Sequence, residues 1–256
     1  MKVKVLESDA NSAKVVFSAT GYGFVNALRR AITAEVPTLA IADVEFRKQG
    51  SALYDEVLAH RLGLVPLTTD YSSYEYEELD DENARSAKSM TTLTLSAKGP
   101  GTAFADLMVG RDPGVAAAQP KMPIVKLREG QELEFEARAV MGRGKEHAKH
   151  VPGIATYHEN VTFTVKNEKP EKSVREKFPP QIFDGTKLDV SRITNPALID
   201  AVDGIDPDVI VVNRPEDSFV FEVESFGQLS SKDMLVQGVR ELVSMLDSFE
   251  REVKSL

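Results

Sequence analysis

Residues 230–253 read SSKDMLVQGVRELVSMLDSFEREV, and this stretch carries the strongest pattern in the chain. Leu235, Val239, Leu242, Leu246, Phe249 and Val253 step by four, three, four, three and four residues. That is a period of about 3.5, the repeat that packs one helix lengthwise against another. Ser230 or Ser231 can cap such a helix, and Asp233 suits the positive end of its dipole. From Lys232 to Val253 it would run about 33 Å. One short neighbouring helix does not cover a seam of that length. The pattern asks for a partner chain, with packing across the chain's own sheet as the plainer alternative.

Upstream, Phe219, Phe221 and Val223 alternate with Val220, Glu222 and Glu224 as a strand does. At the other end, Val3 and Val5 and then residues 14–18 form two short strands around the turn-prone residues 8–12, an opening hairpin. A helix follows Gly21-Tyr22-Gly23, from about Phe24 to Glu35. Phe24, Leu28, Ala31 and Ile32 share one of its faces, with Arg29, Arg30 and Glu35 off it. Pro37 ends the helix by excluding Val36 from helical geometry. Residues 38–46 are a β-leaning run, and 55–62 a short helix. Alternation returns at residues 91–95, at Leu133, Phe135, Ala137 and Ala139, and at Val161, Phe163 and Val165. Residues 70–82 hold seven acids and no base, which reads as a solvated loop. Residues 168–214 hold five of the 13 prolines with little periodicity, so they form a small module or a long surface excursion. The elements together make an α+β chain.

Composition removes whole classes of chemistry. The 256 residues are 42% hydrophobic and 28% charged, enough for an ordinary packed core. With no cysteine, disulfides, thiol nucleophiles, thiolate zinc sites and cysteine-ligated iron–sulfur clusters are all excluded. Lys and Arg number 31 against 40 Asp and Glu, and a net charge of −9 disfavours a polyphosphate partner. The start lacks a signal-like apolar stretch, and no apolar run suits a membrane span, so a cytoplasmic chain is expected.

No motif supplies an active site. Gly21-Tyr22-Gly23 lacks the third glycine of a dinucleotide fingerprint, there is no Gly-Lys-Ser/Thr, and no Gly-x-Ser-x-Gly elbow occurs. Acidic pairs such as Asp80-Asp81 sit beside no candidate base. His147, His150 and His158, with Glu146 nearby, are the material for a metal-dependent enzyme. The surrounding Gly142, Gly144, Pro152 and Gly153 favour a loop, and His-x-x-His presents two rings to one metal only on a helix. Residues 143–150 are also the most basic short stretch. They suit an acidic protein partner better than nucleic acid, because no aromatic residue interleaves the charges for base stacking.

Three stretches resemble one family. They are residues 24–32 with 35–41, residues 53–67 (LYDEVLAHRLGLVPL), and residues 144–149 with Pro152. Their order and spacing, with the terminal strand and helix, are similar to the Rpo3 family of archaeal RNA polymerase, the counterpart of the bacterial alpha subunit and of the third-largest eukaryotic polymerase II subunit. The resemblance implies a discontinuous dimerisation domain, a sheet plus two helices, from residues 1–46, 155–167 and 215–256. It implies a mostly β insertion at 47–154 and a small ferredoxin-like module at 168–214. Members of the family are non-catalytic: they pair with the small subunit L and recruit the two large catalytic subunits, with the small subunits N and P also in the assembly. On that analogy Phe24, Leu28, Ile32, Leu235, Val239, Leu242, Leu246 and Phe249 face subunit L. Asn26, Arg29, Arg30, Lys145, His147 and Lys149 would dock the large subunits, with Arg30 the leading candidate. Many members bind an iron–sulfur cluster through four cysteines in the module. With no cysteine, this chain is expected to hold no cluster, and its module is expected to close on Ile182, Phe183, Leu188, Ile193, Leu198, Ile199, Val209, Ile210 and Val211.

Overall fold

The computed structural model describes residues 1–77, 86, 88–193 and 195–255. Strands β1 (Lys2–Ser8) and β2 (Ser12–Ser18) lead to helix α1 (Tyr22–Arg30), then β3 (Pro37–Gln49) and α2 (Asp55–Gly63). The middle of the chain gives β4 (Met90–Lys98), β5 (Gly101–Phe104), β6 (Val109–Gly110), β7 (Pro123–Leu127), β8 (Glu132–Arg143) and β9 (Gly153–Glu159). There follow β10 (Thr162–Val165), α3 (Lys172–Arg175), β11 (Phe183–Asp184), β12 (Lys187–Leu188), α4 (Pro196–Asp200), β13 (Ile210–Asn213), β14 (Ser218–Ser225) and α5 (Ser231–Lys254). The expected α+β mixture is present, with more strand than helix. One four-stranded sheet has the order β1-β2-β14-β9 and a second the order β3-β8-β4-β6.

The chain divides into two compact units. One comprises Met1–Val3, Val16–Tyr22 and His158–Val220, the other Lys4–Val15, Gly23–Tyr157 and Phe221–Leu256. In the larger unit β3 pairs antiparallel with β8, from Pro37 opposite Arg143 to Gln49 opposite Leu133, with irregularities between Ile41 and Asp43 and between Phe46 and Lys48. The period-two pattern of β8 explains its place. Leu133, Phe135, Ala137 and Ala139 are buried, and Leu58 and Leu62 of α2 belong to the same core. The intervening glutamates form a charge ladder: Lys48 lies 2.9 Å from Glu132 and 3.4 Å from Glu134, and Arg47 lies 3.0 Å from Glu136. β3 enters this sheet at Pro37 and is paired with β8 on both sides of the expected division at 46/47, with an irregularity between Phe46 and Lys48. The short β5–β7 ladder, unforeseen in the sequence, completes this region.

In the smaller unit β10 pairs antiparallel with β13, from Thr162 opposite Asn213 to Val165 opposite Ile210. Residues 162–165 therefore share a ladder with the segment expected to begin only at 168. The core contains Phe178, Ile182, Phe183, Leu188, Ile193, Val202, Val209 and Ile210, with Leu198, Ile199 and Val212 packed against it. Val212 takes the place expected for Val211, because Ile210 and Val212 share a strand face. Phe178 meets Phe183 edge to face at 6.3 Å. This interior is apolar and offers no thiolate, so the donors a cluster needs are missing.

The acidic 70–82 segment is described only in part; residues 78–82 lie outside the described residues. Asp70 accepts hydrogen bonds from Ser72 and Ser73, and Glu77 from Ser86 and Ser89. The acids at 70 and 77 are thus tied into local turns.

Candidate assembly surfaces

The last helix is built as its sequence requires, and only its inward face is satisfied within the chain. Ser230 caps it, its Oγ accepting from the Asp233 N–H at 3.1 Å. Ser231 Oγ donates to the Asp9 carbonyl at 2.7 Å, fixing the first turn. Ser231, Met234 and Gly238 are the buried face. A Cβ on Gly238 would stand 2.4 Å from Ile32 Cγ1, so glycine permits the close approach. Ile32 belongs to a π turn (Ala31–Glu35) that continues α1, with the Val36 N–H donating to the Ala31 carbonyl at 3.1 Å.

The heptad seam lies beside that buried face. Leu235 and Leu242 are half-buried, whereas Val239 is 45% exposed, Leu246 60%, Phe249 68% and Val253 48%. Val236, Val243 and Met245 add further exposed apolar surface. Every residue from Val243 to Lys254 is exposed. Covering these side chains would be favourable by about 25 cal/mol per Å². Leu28 and Ile32, expected to share this surface, are instead in the chain's own core, and Phe24 is half-buried. Amphipathic spacing puts them on one face, and the chain itself covers that face.

A cluster of charges seats α5. Arg143, at the end of β8, reaches Glu35 through Nη1 at 3.4 Å and Glu241 of α5 through Nη2 at 3.1 Å. Lys145 Nζ lies 3.0 Å from Glu35, and the Arg143 guanidinium stacks 4.1 Å above the Tyr76 ring. Arg143, Glu35 and Glu241 side chains are 15–20% exposed. Burial raises the Glu241 carboxyl above its ordinary value, with Arg143 opposing the shift. None of these partners is near another in sequence except the two cations, so no local pattern announces the cluster.

The expected docking residues fall into two groups. Arg29 donates through Nη2 to Asn26 Oδ1 at 3.0 Å, Lys149 Nζ donates to the Ile41 carbonyl at 3.2 Å, and Lys145 is held by Glu35. His147 Nδ1 accepts from the Lys149 N–H at 3.1 Å. Arg30 differs: it is exposed, and among the described residues its guanidinium has no ion pair. The basic stretch 143–149 is therefore largely committed inside the chain.

The three histidines serve local structure. His150 is buried, with Nδ1 2.8 Å from the Thr38 carbonyl, while Thr38 Oγ1 donates to the His150 carbonyl at 2.8 Å. A Cβ on Gly142 would sit 2.5 Å from its Nε2, so the glycine makes room for the ring. Burial pushes His150 down to about 4, and the ring is neutral near pH 7. His158 Nδ1 lies 2.8 Å from the Glu159 carbonyl. Among the described residues no cluster of three or more His, Asp or Glu is placed to hold a metal, and no helix is long and apolar enough to cross a membrane.

Comparison with known proteins supplies the family. The RNA polymerase Rpb3/RpoA insert domain matches residues 44–174. DNA-directed RNA polymerase subunit Rpo3 of Pyrococcus furiosus is 34% identical over 267 residues, spanning 100% of this chain and 98% of that protein. The subunit Rpo3 of Thermococcus kodakarensis is 35% identical, spanning 100% of this chain and 99% of its own. That of Halobacterium salinarum is 34% identical, over 98% of this chain and 97% of its own. With the insert domain matched and full-length identities of 34–35%, the chain belongs to the DNA-directed RNA polymerase subunit Rpo3 family.

Proposed function

We propose that this chain is a non-catalytic assembly subunit of a DNA-dependent RNA polymerase, pairing with the small subunit L to form the platform that recruits the two large catalytic subunits. The observation that carries the proposal is the bare apolar stripe of α5. Val239, Leu246, Phe249 and Val253 are roughly half or more exposed along a helix of 24 residues, about 36 Å long. An exposed seam at coiled-coil spacing is surface built for another helix. In this reading the dimerisation domain is assembled from the first and last segments, 1–46, 155–167 and 215–256, around the insertion at 47–154. The module at 168–214 stays folded on its own core without a cluster. Stoichiometric iron in the purified protein would overturn that last point.

Arg30 is the large-subunit contact in this scheme, exposed and without an ion pair among the described residues, ready to pair bidentately with a carboxylate. Small subunits N and P join the same assembly. Direct grip on DNA is weak, in keeping with a net charge of −9 and with the engagement of Arg143, Lys145 and Lys149 inside the chain. The test is co-expression with subunit L followed by sizing. A 1:1 complex is expected, and a chain that stays monomeric in the presence of subunit L would contradict it.

A further inference from the structure

We propose that Arg143 is the positioning residue of α5: clamped between Glu35 and Glu241 and stacked on Tyr76, it sets the direction in which the helix presents its apolar stripe. The proposal rests on the reading of that stripe as the pairing surface.

Gly238 and Glu241 are three residues apart, so both fall on the inward face of α5. The Gly238–Ile32 contact is close but apolar and non-directional, so it fixes the distance of approach rather than the angle of the helix. The guanidinium is directional. Its planar fork holds one carboxylate through Nη1 at 3.4 Å and another through Nη2 at 3.1 Å. The Tyr76 ring, 4.1 Å away, fixes the plane of that fork. Arg143 and Lys145 oppose the Glu35 and Glu241 carboxylates, and the Glu146 carboxylate accepts from the Arg143 N–H and the Tyr76 hydroxyl beside them.

Stability alone does not explain such a cluster. Half-buried ion pairs are often no better than apolar residues of the same volume, because desolvation offsets attraction. Direction explains it. From Val243 onward α5 is exposed on every side, so its course is fixed by its seat. Val253 lies twelve residues beyond Glu241, about 18 Å along the axis. A 10° swing at the seat would move that end by about 3 Å, enough to unseat knobs from the holes of a facing helix.

The test compares Glu241→Gln, Arg143→Met, Arg143→Lys and the double variant Arg143→Met/Glu241→Gln. Affinity for subunit L is measured well below each melting temperature, where all variants are folded and lower stability alone leaves affinity unchanged. Amide exchange over residues 231–242 is followed in the isolated chain. Both Glu241→Gln and Arg143→Met are expected to weaken pairing about tenfold and to speed exchange in that segment. The double variant is expected to be no worse than Arg143→Met, and Arg143→Lys to restore only part of the affinity, since an ammonium lacks the planar fork. Unchanged affinity in Glu241→Gln, or losses that simply add in the double variant, would overturn the proposal. If Arg143→Met does not fold, Glu241→Gln and Arg143→Lys decide by themselves. Leu246→Asp separates the two ideas. If it leaves pairing intact, the pairing surface itself is misassigned; if it abolishes pairing while Glu241→Gln does not, only the positioning role fails.

Discussion

Ile182, in the smaller unit, is fully buried among Phe178, Phe183, Leu188 and Val209, whereas Phe249 of α5 is 68% exposed with Leu246 and Val253 beside it. Both regions are rich in apolar residues, and neither has an obvious partner within its own stretch of sequence. The smaller unit closes on itself: its two-stranded ladder, short hairpin and turns bury an apolar centre with no metal ligand among its core residues. Helix α5 commits only Ser231, Met234 and Gly238 fully to its own chain and leaves most of the rest open. An apolar pattern is therefore not itself a sign of either core or interface. What distinguishes them is whether the chain brings a second surface to meet it.

The comparison breaks most visibly on α5. Leu246→Asp/Phe249→Asp is expected to weaken pairing with subunit L at least a thousandfold, about 4 kcal/mol, as measured by titration calorimetry. The melting temperature of the isolated chain should stay within about 2 °C, because both positions are solvent-facing. The opposite result belongs to the closed region: Ile182→Ala should cost about 2–5 kcal/mol of stability in urea unfolding, with affinity for subunit L unchanged.

A pH titration sharpens the picture for a buried polar contact. His150 has its folded-state value lowered to about 4 from an ordinary 6.5, so the unfolded chain binds the proton more readily between these limits. The stability it contributes is complete above pH 6.5 and lost as the pH falls towards 4, up to about 3 kcal/mol. Glu241, whose carboxyl is raised, acts in the opposite sense, since its contribution falls as the pH rises through its folded value. The difference between the wild type and His150→Gln isolates the histidine. That difference should shrink from pH 7 to pH 4.5 in denaturant unfolding, and a constant difference would contradict the buried neutral ring. The smallest expected effect is at Arg30: Arg30→Ala should weaken capture of the large subunits about tenfold in a reconstitution assay while the pair with subunit L survives. Undiminished polymerase yield from that variant would remove Arg30 from the interface.

Strong local periodicity is legible in the sequence. The seam of α5, the alternation of β8 at Leu133, Phe135 and Ala137, and the stop at Pro37 all follow from residues near one another in the chain. The inward face of α5 is not legible, because glycine at 238 and glutamate at 241 do not register as an apolar stripe. Leu28 and Ile32 show the complementary limit: spacing tells which residues share a face, not that Gly238 comes down upon it. The Arg143 cluster joins residues 98 and 108 positions apart, so no window of sequence contains it. Val212 rather than Val211 faces the small core because the ladder with β10, which fixes the register, lies some 47 residues upstream.

Amide hydrogen exchange across α5, in the chain alone and in the pair with subunit L, tests the central claim most directly. In the chain alone, residues 243–254 are exposed and should exchange rapidly, while residues 234–242 are slowed by their seat. On pairing, protection over 243–253 should rise at least a hundredfold. Equal exchange with and without subunit L would show that the exposed seam is not where the partner binds.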